Sequence, residues 1–357
     1  MSFNNINSIF NEYIKADYFS GGVCFVSHNG EKLFHQAYGK VNRDKNILCE
    51  LDTVFDIASL TKVVTTTVIL QMITKNFLSL STRLGECLPN VSSNEILSPI
   101  TIKQLLTHSS NLKAWYPFYS QLPEGNLFYI LNNIELTHNS TDRVVYSDLN
   151  FILLGEVLKR YFNTSLQKII NENIAIPLKL KTLTYNPVNN GNIAATEHGN
   201  RIEMKMCKEG NFSFNNWRYE NISGEVNDGN AFYFFGGESG HAGLFSNVED
   251  LVTLGELYLK GGTNLGEEFI SKVLIQESLK PQIEYRGLGW ESSDIYPEGF
   301  GHTGFTGTAL WLDPKRNLVV GLLTNRLHVE TPKNINSFRK KVFKEILNKI
   351  EKGDLKC

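Results

Sequence analysis

The sequence predicts an α+β protein in which helices flank an antiparallel sheet and a mainly helical lobe is inserted. Strand-like hairpins occur near both ends of the chain, and segments with helical apolar spacing lie between them. Because strands from the two ends can join one sheet, we expect a single domain over 1–357. Its sheet lobe would comprise about 1–75 and 240–357, and its helical lobe about 76–239.

The first elements are a helix and a hairpin. Apolar residues at helical spacing predict an amphipathic first helix. These residues are Ile6, Ile9, Phe10, Tyr13 and Ile14. Two strand-like runs over 21–39 then flank Asn29-Gly30, a turn pair that tolerates positive φ and therefore predicts a hairpin.

The segment Ala58 to Ile73 is predicted to be a buried helix, although its local signals conflict. All residues from Val63 to Ile69 are β-branched, which favours a strand. The whole segment, however, runs for 16 residues without Gly or Pro, which is long for a strand.

The middle of the chain is mainly helical in its pattern. Ile102 to Leu106 and Asn150 to Tyr161 have helical apolar spacing, whereas 187–235 is rich in Asn and Gly and is expected to be irregular. A glycine-dense loop, Gly236 to Gly243, leads into a helix over Val248 to Lys260.

The C-terminal part returns to strands and ends in a helix. The runs 308–313 and 317–325 are separated by Pro314-Lys315-Arg316 and predict a second hairpin. The apolar stripe of the last helix is Ile335, Phe338, Val342, Ile346 and Ile350. Its basic residues are expected to form a solvated face. They are Arg339, Lys340, Lys341, Lys344 and Lys349.

Composition disfavours several classes of partner. The formal net charge is -2, so no global field favours nucleic acid. No apolar run approaches the roughly 20 residues of a membrane span. The N-terminus lacks the features of a secretory signal, and the five cysteines include no C-x-x-C pair. We therefore expect a cytoplasmic protein with reduced thiols.

The pattern Ser-x-x-Lys occurs four times, and only context separates the copies. The pairs are Ser59/Lys62, Ser110/Lys113, Ser165/Lys168 and Ser337/Lys340. The last two fall on amphipathic helices and the second in a loop-like stretch. The first begins a strongly apolar segment, where a buried ammonium must be paired or lose its proton.

A helix over this segment would place Ser59 and Lys62 on one face, so the amine can approach the hydroxyl. A serine needs a neighbouring base to become a nucleophile, and a helix N-terminus offers N–H groups to a developing oxyanion. The alternative interpretation is an N-cap serine with a snorkelling lysine. The segment alone does not decide between them.

Two further constellations have both functional and structural interpretations. Tyr146-Ser147-Asp148 precedes a helical run, so Tyr146 fits a core tyrosine and Asp148 an N-cap that also faces the site. His302, in the segment 301–307, fits a strand histidine. His108 and His241 are expected to be structural.

Together, the three segments resemble the signature of the serine β-lactamase and penicillin-binding-protein superfamily. That signature is Ser-x-x-Lys, Tyr-x-Asn and Lys-Thr-Gly or His-Thr-Gly, in this order. The matching segments are SLTK at 59–62, YSD at 146–148 and HTG at 302–304, with family-like flanks LLTHSSNL, GGESGHAGLFS and FGHTGFTGTALWLDP. Within the superfamily the chain looks most like the branch of class C β-lactamases, D-aminopeptidases, family VIII carboxylesterases and D-alanyl-D-alanine carboxypeptidases. The resemblance covers roughly 20–330.

The resemblance implies a β-lactamase/transpeptidase-like fold and a role for each matching residue. Ser59 would attack the substrate carbonyl and become acylated, while Lys62 holds or shuttles the proton. Tyr146 would act as general base and then as general acid toward the leaving group. The backbone N–H groups of Ser59 and Phe305 would form the oxyanion hole.

Four residues would contact the substrate, namely Asp148, His302, Thr303 and Gly304, and two of them depart from the family pattern. Asp148 replaces asparagine and, as a carboxylate, offers no hydrogen-bond donor. His302 replaces lysine, and a mostly neutral histidine holds an anion less well. Both changes fit substrates without a demanding carboxylate anchor.

Three functions remain open from the sequence. The first is a serine hydrolase that forms an acyl-enzyme on Ser59 and cleaves small esters or amides. The second is a D-amino-acid peptidase, a penicillin-binding D-alanyl-D-alanine carboxypeptidase or a weak β-lactamase. The third is a non-catalytic binding protein with the same fold. The expected partner is a small ester, amide or peptide. No metal or cofactor is expected, since no metal-spaced His/Cys cluster occurs, and the oligomeric state is left open.

Overall fold

The computed structural model describes residues 3–123, 125–137, 143–188 and 192–352. The α-helices of these residues are α1 Asn4–Lys15, α2 Thr61–Thr74, α3 Leu84–Cys87, α4 Ile102–Leu106, α5 Leu127–Asn133, α6 Asp148–Phe162, α7 Leu166–Ile170, α8 Arg201–Glu209, α9 Val248–Leu259, α10 Lys272–Ser278 and α11 Asn336–Glu351. The strands are β1 Gly21–His28, β2 Glu31–Asn42, β3 Ile47–Leu48, β4 Phe55–Asp56, β5 Thr184–Tyr185, β6 Leu244–Ser246, β7 Thr263–Asn264, β8 Glu267–Glu268, β9 Phe300–Thr303, β10 Ala309–Asp313 and β11 Leu318–Thr324. Short 3₁₀ segments occur at Ala58–Leu60, Pro89–Val91 and Phe118–Gln121, and single π turns at Asn171–Ala175 and Asn230–Phe234.

The main sheet has six antiparallel strands in the order β3-β2-β1-β11-β10-β9. Its centre joins the two ends of the chain, with Val23 of β1 opposite Leu323 of β11. The hairpin between β1 and β2 turns at Asn29 and Gly30, both with positive φ. The predicted α+β class, with strands from both ends in one antiparallel sheet, is confirmed.

Both faces of the sheet are covered. Along β10, Ala309 and Trp311 pack into a core with α1 and α11, whereas Leu310 and Leu312 pack into a larger core with α2, α6 and α9. Successive side chains of a strand point to opposite faces, so a strand buried on both faces is apolar throughout. Between 76 and 239, the described residues form α3 to α8 and a single short strand, β5.

The helix α2 forms despite its β-branched run. Its Thr67 and Thr74 hydroxyls each donate to a carbonyl four residues earlier, at 2.8 Å. Every residue of 61–72 is buried, so tertiary packing on all sides outweighs local propensity. The predicted helix is confirmed, with its first turn a 3₁₀ segment.

One expectation was partly wrong. The segment 187–235, expected to be irregular, contains α8 and a π turn; residues 189–191 lie outside the described ranges. The buried side chains of α8 are Glu203 and Cys207. Because a carboxyl group lies on the inner face, the segment lacks the apolar spacing that predicts a helix.

Within the described ranges no helix has both the length and the apolar character needed to cross a membrane. Cys24, Cys49, Cys87 and Cys207 are unpaired thiols, and Cys357 lies outside those ranges.

Candidate active site

Ser59 lies in the 3₁₀ turn 58–60 that runs directly into α2. The Asp56 carboxylate holds this turn: it accepts the Ala58 N–H at 2.8 Å and the Asn227 N–H at 2.7 Å. Burial raises the pKa of Asp56 to about 6, against the effect of these two bonds. Ala58 has φ +45°, a conformation that is unfavourable for a residue with a Cβ. Ser59 is therefore presented on a strained turn that other segments hold in place.

Lys62 is fully buried, and its ammonium faces four oxygen atoms. Its Nζ lies 2.9 Å from Ser59 Oγ, 2.8 Å from an Asp148 carboxylate oxygen and 3.1 Å from the His241 carbonyl, and it hydrogen-bonds the Tyr146 hydroxyl. Burial disfavours the ammonium, but Asp148 and Tyr146 outweigh this and raise the pKa of Lys62. Lys62 is thus a cation that donates to Ser59. We call Ser59, Lys62, Tyr146 and Asp148 the catalytic cluster; the roles of these residues stay predictions.

Two alternative interpretations are wrong, namely an N-cap Ser59 with a snorkelling Lys62 and an N-cap role for Asp148. Ser59 makes no side-chain capping bond, and the buried Lys62 does not snorkel to solvent. Asp148 is the first residue of α6, and Ser147 occupies the N-cap position. The Asp148 side chain does not cap the helix and instead pairs with Lys62.

The segment before α6 is anchored by the loop that precedes it in sequence. The Ser147 N–H donates to His108 Nδ1 at 3.0 Å, and its hydroxyl donates to the Lys113 carbonyl at 2.6 Å. The His108 ring lies 4.5 Å from the Tyr146 ring. Burial, with Arg286 and Lys62 nearby, lowers the pKa of His108 well below its usual value, so this histidine is neutral and structural, as expected.

Two glycines allow the loop 236–243 to pass against α6. A Cβ on Gly240 would collide with the Phe151 carbonyl, and one on Gly155 would lie 2.9 Å from the Gly240 nitrogen. The Thr65 hydroxyl of α2 donates to the Gly240 carbonyl at 2.8 Å. This close approach carries the carbonyl of the next residue, His241, to Lys62.

The loop after β9 contacts the segment that leads into the turn of Ser59. A Cβ on Gly304 would lie 2.6 Å from the Ile57 carbonyl, so only glycine fits there. The Thr306 hydroxyl donates to the Asp56 carbonyl at 2.7 Å, and the Thr308 hydroxyl donates to the Ile57 carbonyl at 3.0 Å. Phe305, between these anchors, is thereby held beside Ser59.

Two arginines hold the same loop from outside. Arg339 is buried, and its guanidinium donates to the carbonyls of Gly304 at 3.1 Å and Thr308 at 2.9 Å. Arg326 donates to the Phe305 carbonyl at 2.6 Å. The predicted solvated face is wrong for Arg339, because its long side chain reaches inward across the helix–sheet boundary.

His302 is buried, and its Nδ1 lies 2.9 Å from the Thr303 carbonyl. Burial, together with Lys62 and Arg286, lowers the pKa of His302 well below its usual value. The ring lies 6.1 Å from the Tyr146 ring. Contacts of His302, Thr303 and Gly304 with substrate stay predictions.

Arg286 is a second cation at the site that the sequence did not indicate. Its guanidinium carbon lies 5.2 Å from the centre of the Tyr146 ring, and the side chain pairs with Glu291 at 3.0 Å. Arg286 belongs to no motif and is distant from Tyr146 in sequence. Only the folded chain brings a second positive charge to this phenol.

A cavity of about 170 Å³ opens beside Ser59. Three other predicted site residues line it, namely Tyr146, Asp148 and Phe305. The remaining lining residues were not predicted as site residues; they are Ala58, Trp115, Glu203, Met206, Asn227, Asp228, Ala242 and Thr306. Ala58 and Thr306 lie beside or within predicted motif segments and Ala242 lies in the glycine-dense loop, whereas the others had no such signal.

Two groups of side chains in the described part of the chain have the composition of metal ligands, although their spacing in sequence is irregular. One is Asp148, Asp228 and His241, and the other is Asp44, His198 and His328; within each group the ligand atoms lie within 4.8 Å of one another. In the first group, Lys62 already supplies a positive charge to Asp148. His241 is held on both ring nitrogens, by the Ser239 hydroxyl at 2.7 Å and by Asp228 at 3.1 Å.

Comparisons with known proteins agree with this architecture. The family model described as Beta-lactamase matches residues 6–341. The N-acetylmuramyl-L-alanine amidase of Bacillus subtilis (strain 168) is 28% identical in an alignment 361 residues long, gaps included. The alignment covers 90% of this chain and 81% of that protein.

Solved structures show the same fold. EstCE1, a hydrolase with promiscuous acyltransferase activity, superposes with a TM-score of 0.72 at 18% identity and covers 95% of this chain and 98% of its own. A class C β-lactamase from Rhodobacter sphaeroides has a TM-score of 0.72 at 18% identity, and the match covers 96% of this chain and 99% of that protein. Since the family match spans most of the sequence, the chain belongs to the Beta-lactamase family of serine hydrolases, as its three motifs predict.

Proposed function

We propose that this chain forms an acyl-enzyme on Ser59 and cleaves small esters or amides. The observation that carries the proposal is the 2.9 Å contact between the buried Lys62 Nζ and Ser59 Oγ, beside a cavity that admits a small substrate. Another Ser-x-x-Lys pair provides the contrast: Lys113 reaches solvent and pairs with Glu135 at 2.9 Å. Burying an ammonium is costly unless it is paired, and Lys62 is paired with Asp148 at 2.8 Å.

The proposed mechanism assigns different tasks to the two partners of Ser59. Lys62, held as a cation by Asp148, stabilises the serine oxygen as it becomes negative. Tyr146 accepts the serine proton and passes it to the leaving group, and later activates the water that cleaves the acyl ester. Lys62 and Arg286 both lie near Tyr146 and stabilise negative charge on its oxygen.

The Ser59 and Phe305 backbone N–H groups are the proposed oxyanion hole. Neither donates to another residue in the described part of the chain, and both residues line the cavity. Asp148 also lines the cavity and is proposed to contact the substrate. Thr303 and Gly304 would present the strand edge, whereas the buried His302 would act through that strand.

The alternative functions are less well supported by the cavity. None of the described residues that line it is basic, so no side chain there pairs with the terminal carboxylate that a carboxypeptidase recognises. A non-catalytic role leaves the bonded set of Ser59, Lys62 and Tyr146 without a purpose. A lasting adduct of a fluorescent penicillin on Ser59 would favour the penicillin-binding alternative. The cytoplasmic location stays a prediction.

A fluorophosphonate probe and a short-chain nitrophenyl ester test the proposal. We expect the probe to label the protein and the ester to be hydrolysed, and both activities to be lost in Ser59→Ala. Ser337→Ala, which removes the serine of a surface Ser-x-x-Lys pair, is the matched control and should keep both. Labelling that persists in Ser59→Ala, or an unlabelled wild type, would contradict the proposal.

A further inference from the structure

We infer that Glu291 is a positioning residue for the proposed reaction, because it holds the Arg286 guanidinium near Tyr146, the proposed general base. The inference rests on the proposed function and adds a residue that acts through another, since neither Glu291 nor Arg286 lines the cavity beside Ser59. Three observations carry it: the backbone pairing of the segment, its buried ion pair and the set of charges around the phenol.

The segment 285–292 doubles back on itself and extends the main sheet beyond β9. Arg286 and Glu291 are antiparallel partners within it. The Glu291 N–H donates to the Gly301 carbonyl at 3.0 Å, and the Gly301 N–H donates to the Glu291 carbonyl at 2.8 Å, which attaches the segment to β9. Residues directly opposite each other in an antiparallel pair have their side chains on one face. The backbone therefore places the carboxylate beside the guanidinium.

The turn of this segment packs against the helices of the site. The Gly289 N–H donates to the Leu106 carbonyl at 3.0 Å, and a Cβ on Gly289 would collide with the Thr66 side chain of α2. Trp290 is fully buried, and its ring lies 5.0 Å from the Tyr258 ring. The backbone that carries the arginine is thus fixed, and only the orientation of its long side chain remains to be set.

The ion pair with Glu291 sets that orientation. Arg286 Nη2 lies 3.0 Å from a Glu291 carboxylate oxygen, and the two side chains are 5% and 13% exposed. Arg286 Nε has no hydrogen-bond partner in the described part of the chain. The guanidinium carbon lies 5.2 Å from the centre of the Tyr146 ring and 5.1 Å from that of the Tyr285 ring. Because an arginine side chain has many rotamers, its single carboxylate partner selects the one that faces Tyr146.

Two ion pairs supply the charges near the Tyr146 phenol. Lys62 hydrogen-bonds the phenol and pairs with Asp148 at 2.8 Å. Arg286 lies near the same ring and pairs with Glu291 at 3.0 Å. In each pair a carboxylate fixes a cation near the phenol, and a nearby cation favours the loss of the phenol proton.

Two histidines near the phenol add no charge. The rings of His108 and His302 lie 4.5 Å and 6.1 Å from the Tyr146 ring. Burial, with Lys62 and Arg286 nearby, lowers the pKa of both histidines well below the usual value, so both are neutral. The electrostatic environment of the phenol therefore depends on the two cations and on what holds them.

The groups around Glu291 leave Arg286 as its main partner. Burial raises the pKa of Glu291, and Arg286 is the largest influence in the opposite direction, followed by the Ser293 hydroxyl. Arg339 also lowers this pKa, but its guanidinium donates to two carbonyls of the loop after β9. Burial and Glu291 raise the pKa of Tyr296 well above its usual value, so this phenol stays neutral.

The test measures kcat/KM for a short-chain nitrophenyl ester between about pH 5 and 9. Tyr146 must lose its proton to act as a base, so activity falls on the acid side, and this fall has a midpoint pH. In Glu291→Gln the guanidinium loses the group that orients it, and we expect the midpoint to rise by about one pH unit with little change in KM. Glu284→Gln, which removes an exposed carboxylate next to the same segment, should keep the wild-type midpoint.

A double variant shows whether Glu291 acts through Arg286. Arg286→Met should raise the midpoint at least as much as Glu291→Gln, and combining the two should produce no further rise. Glu291→Asp, which keeps a carboxylate, should recover at least half of the shift. A purely structural role would lower the folded fraction, and hence the rate, equally at every pH without moving the midpoint.

A midpoint that stays in place or falls in Glu291→Gln would overturn the inference, because a fall means that Arg286 keeps its orientation without Glu291. Additive shifts in the double variant would also overturn it. If Glu291→Gln does not fold, Arg286→Met decides, and an unmoved midpoint there overturns the inference. Each of these results leaves the proposed function intact, since wild type still hydrolyses the ester. Wild type without Ser59-dependent hydrolysis would overturn both.

Discussion

The catalytic cluster and three other residues that line the cavity, Glu203, Asn227 and Asp228, differ in how completely their polar atoms are paired. In the catalytic cluster, the three donors of Lys62 face four oxygens of the protein. Among the other three residues, Asn227 Oδ1 and Asp228 Oδ2 have no donor among the described residues. The difference indicates that the polar atoms around Lys62 are preorganised before substrate arrives.

Replacing Lys62 with methionine should have the largest effect. We expect kcat for ester hydrolysis to fall by roughly 1000-fold or more, because the cation that stabilises the Ser59 oxygen is lost. Lys113→Met is the control from another Ser-x-x-Lys pair; its ion pair is partly exposed, so the free energy of unfolding should change by less than about 1 kcal/mol. A loss of activity under tenfold in Lys62→Met would remove Lys62 from the catalytic cluster.

Replacing Arg339 with methionine should have an intermediate effect on activity, because Arg339 positions the loop that contains Phe305. Its two bonds hold the loop on both sides of Phe305. Without them we expect kcat to fall by about 10-fold to 100-fold with little change in KM, and the free energy of unfolding to fall by about 3 kcal/mol because two carbonyls lose a charged donor.

Lys340→Met is the matched control for Arg339, since this neighbour forms an exposed pair with Asp294. Both its kcat and its stability should stay near wild type, within about 0.5 kcal/mol for unfolding. If Arg339→Met changes stability but leaves kcat intact, the arginine has a purely structural role.

The smallest expected effect is a pH dependence of stability from Glu203. Its pKa in the folded protein, about 8, lies above the ordinary value of 4.5, so the fold favours the protonated form. That contribution is present in full below about pH 4.5 and is lost as pH rises through 8. Between pH 5 and 9, wild type should therefore lose up to a few kcal/mol more of its unfolding free energy than Glu203→Gln.

Urea denaturation at pH 5, 7 and 9 measures this difference. Glu209→Gln, exposed on the same helix, should follow wild type at each pH. Parallel curves for wild type and Glu203→Gln would mean that Glu203 is ionised throughout, beside the Asp228 carboxylate.

Contacts between residues that are close in sequence could be predicted, whereas contacts between remote segments could not. Ser59 and Lys62 lie one helical turn apart, so a correct helix assignment was enough to place the amine beside the hydroxyl. The helix α8 was missed because Glu203 occupies its inner face, where a pattern search expects an apolar residue. Arg286 and Arg339 were missed because each reaches the site from a remote segment by a long side chain.

The sequence by itself determined the α+β class, the elements that carry the three motifs and the family, because these depend on local periodicity and on short spacings. The tertiary structure decided the state of each polar group at the site. The pairing of Lys62 with Asp148, the neutrality of His302 and the unpaired oxygen of Asn227 follow from burial and from neighbours that are distant in sequence. Desolvation and pairing act through space, and a linear pattern contains neither.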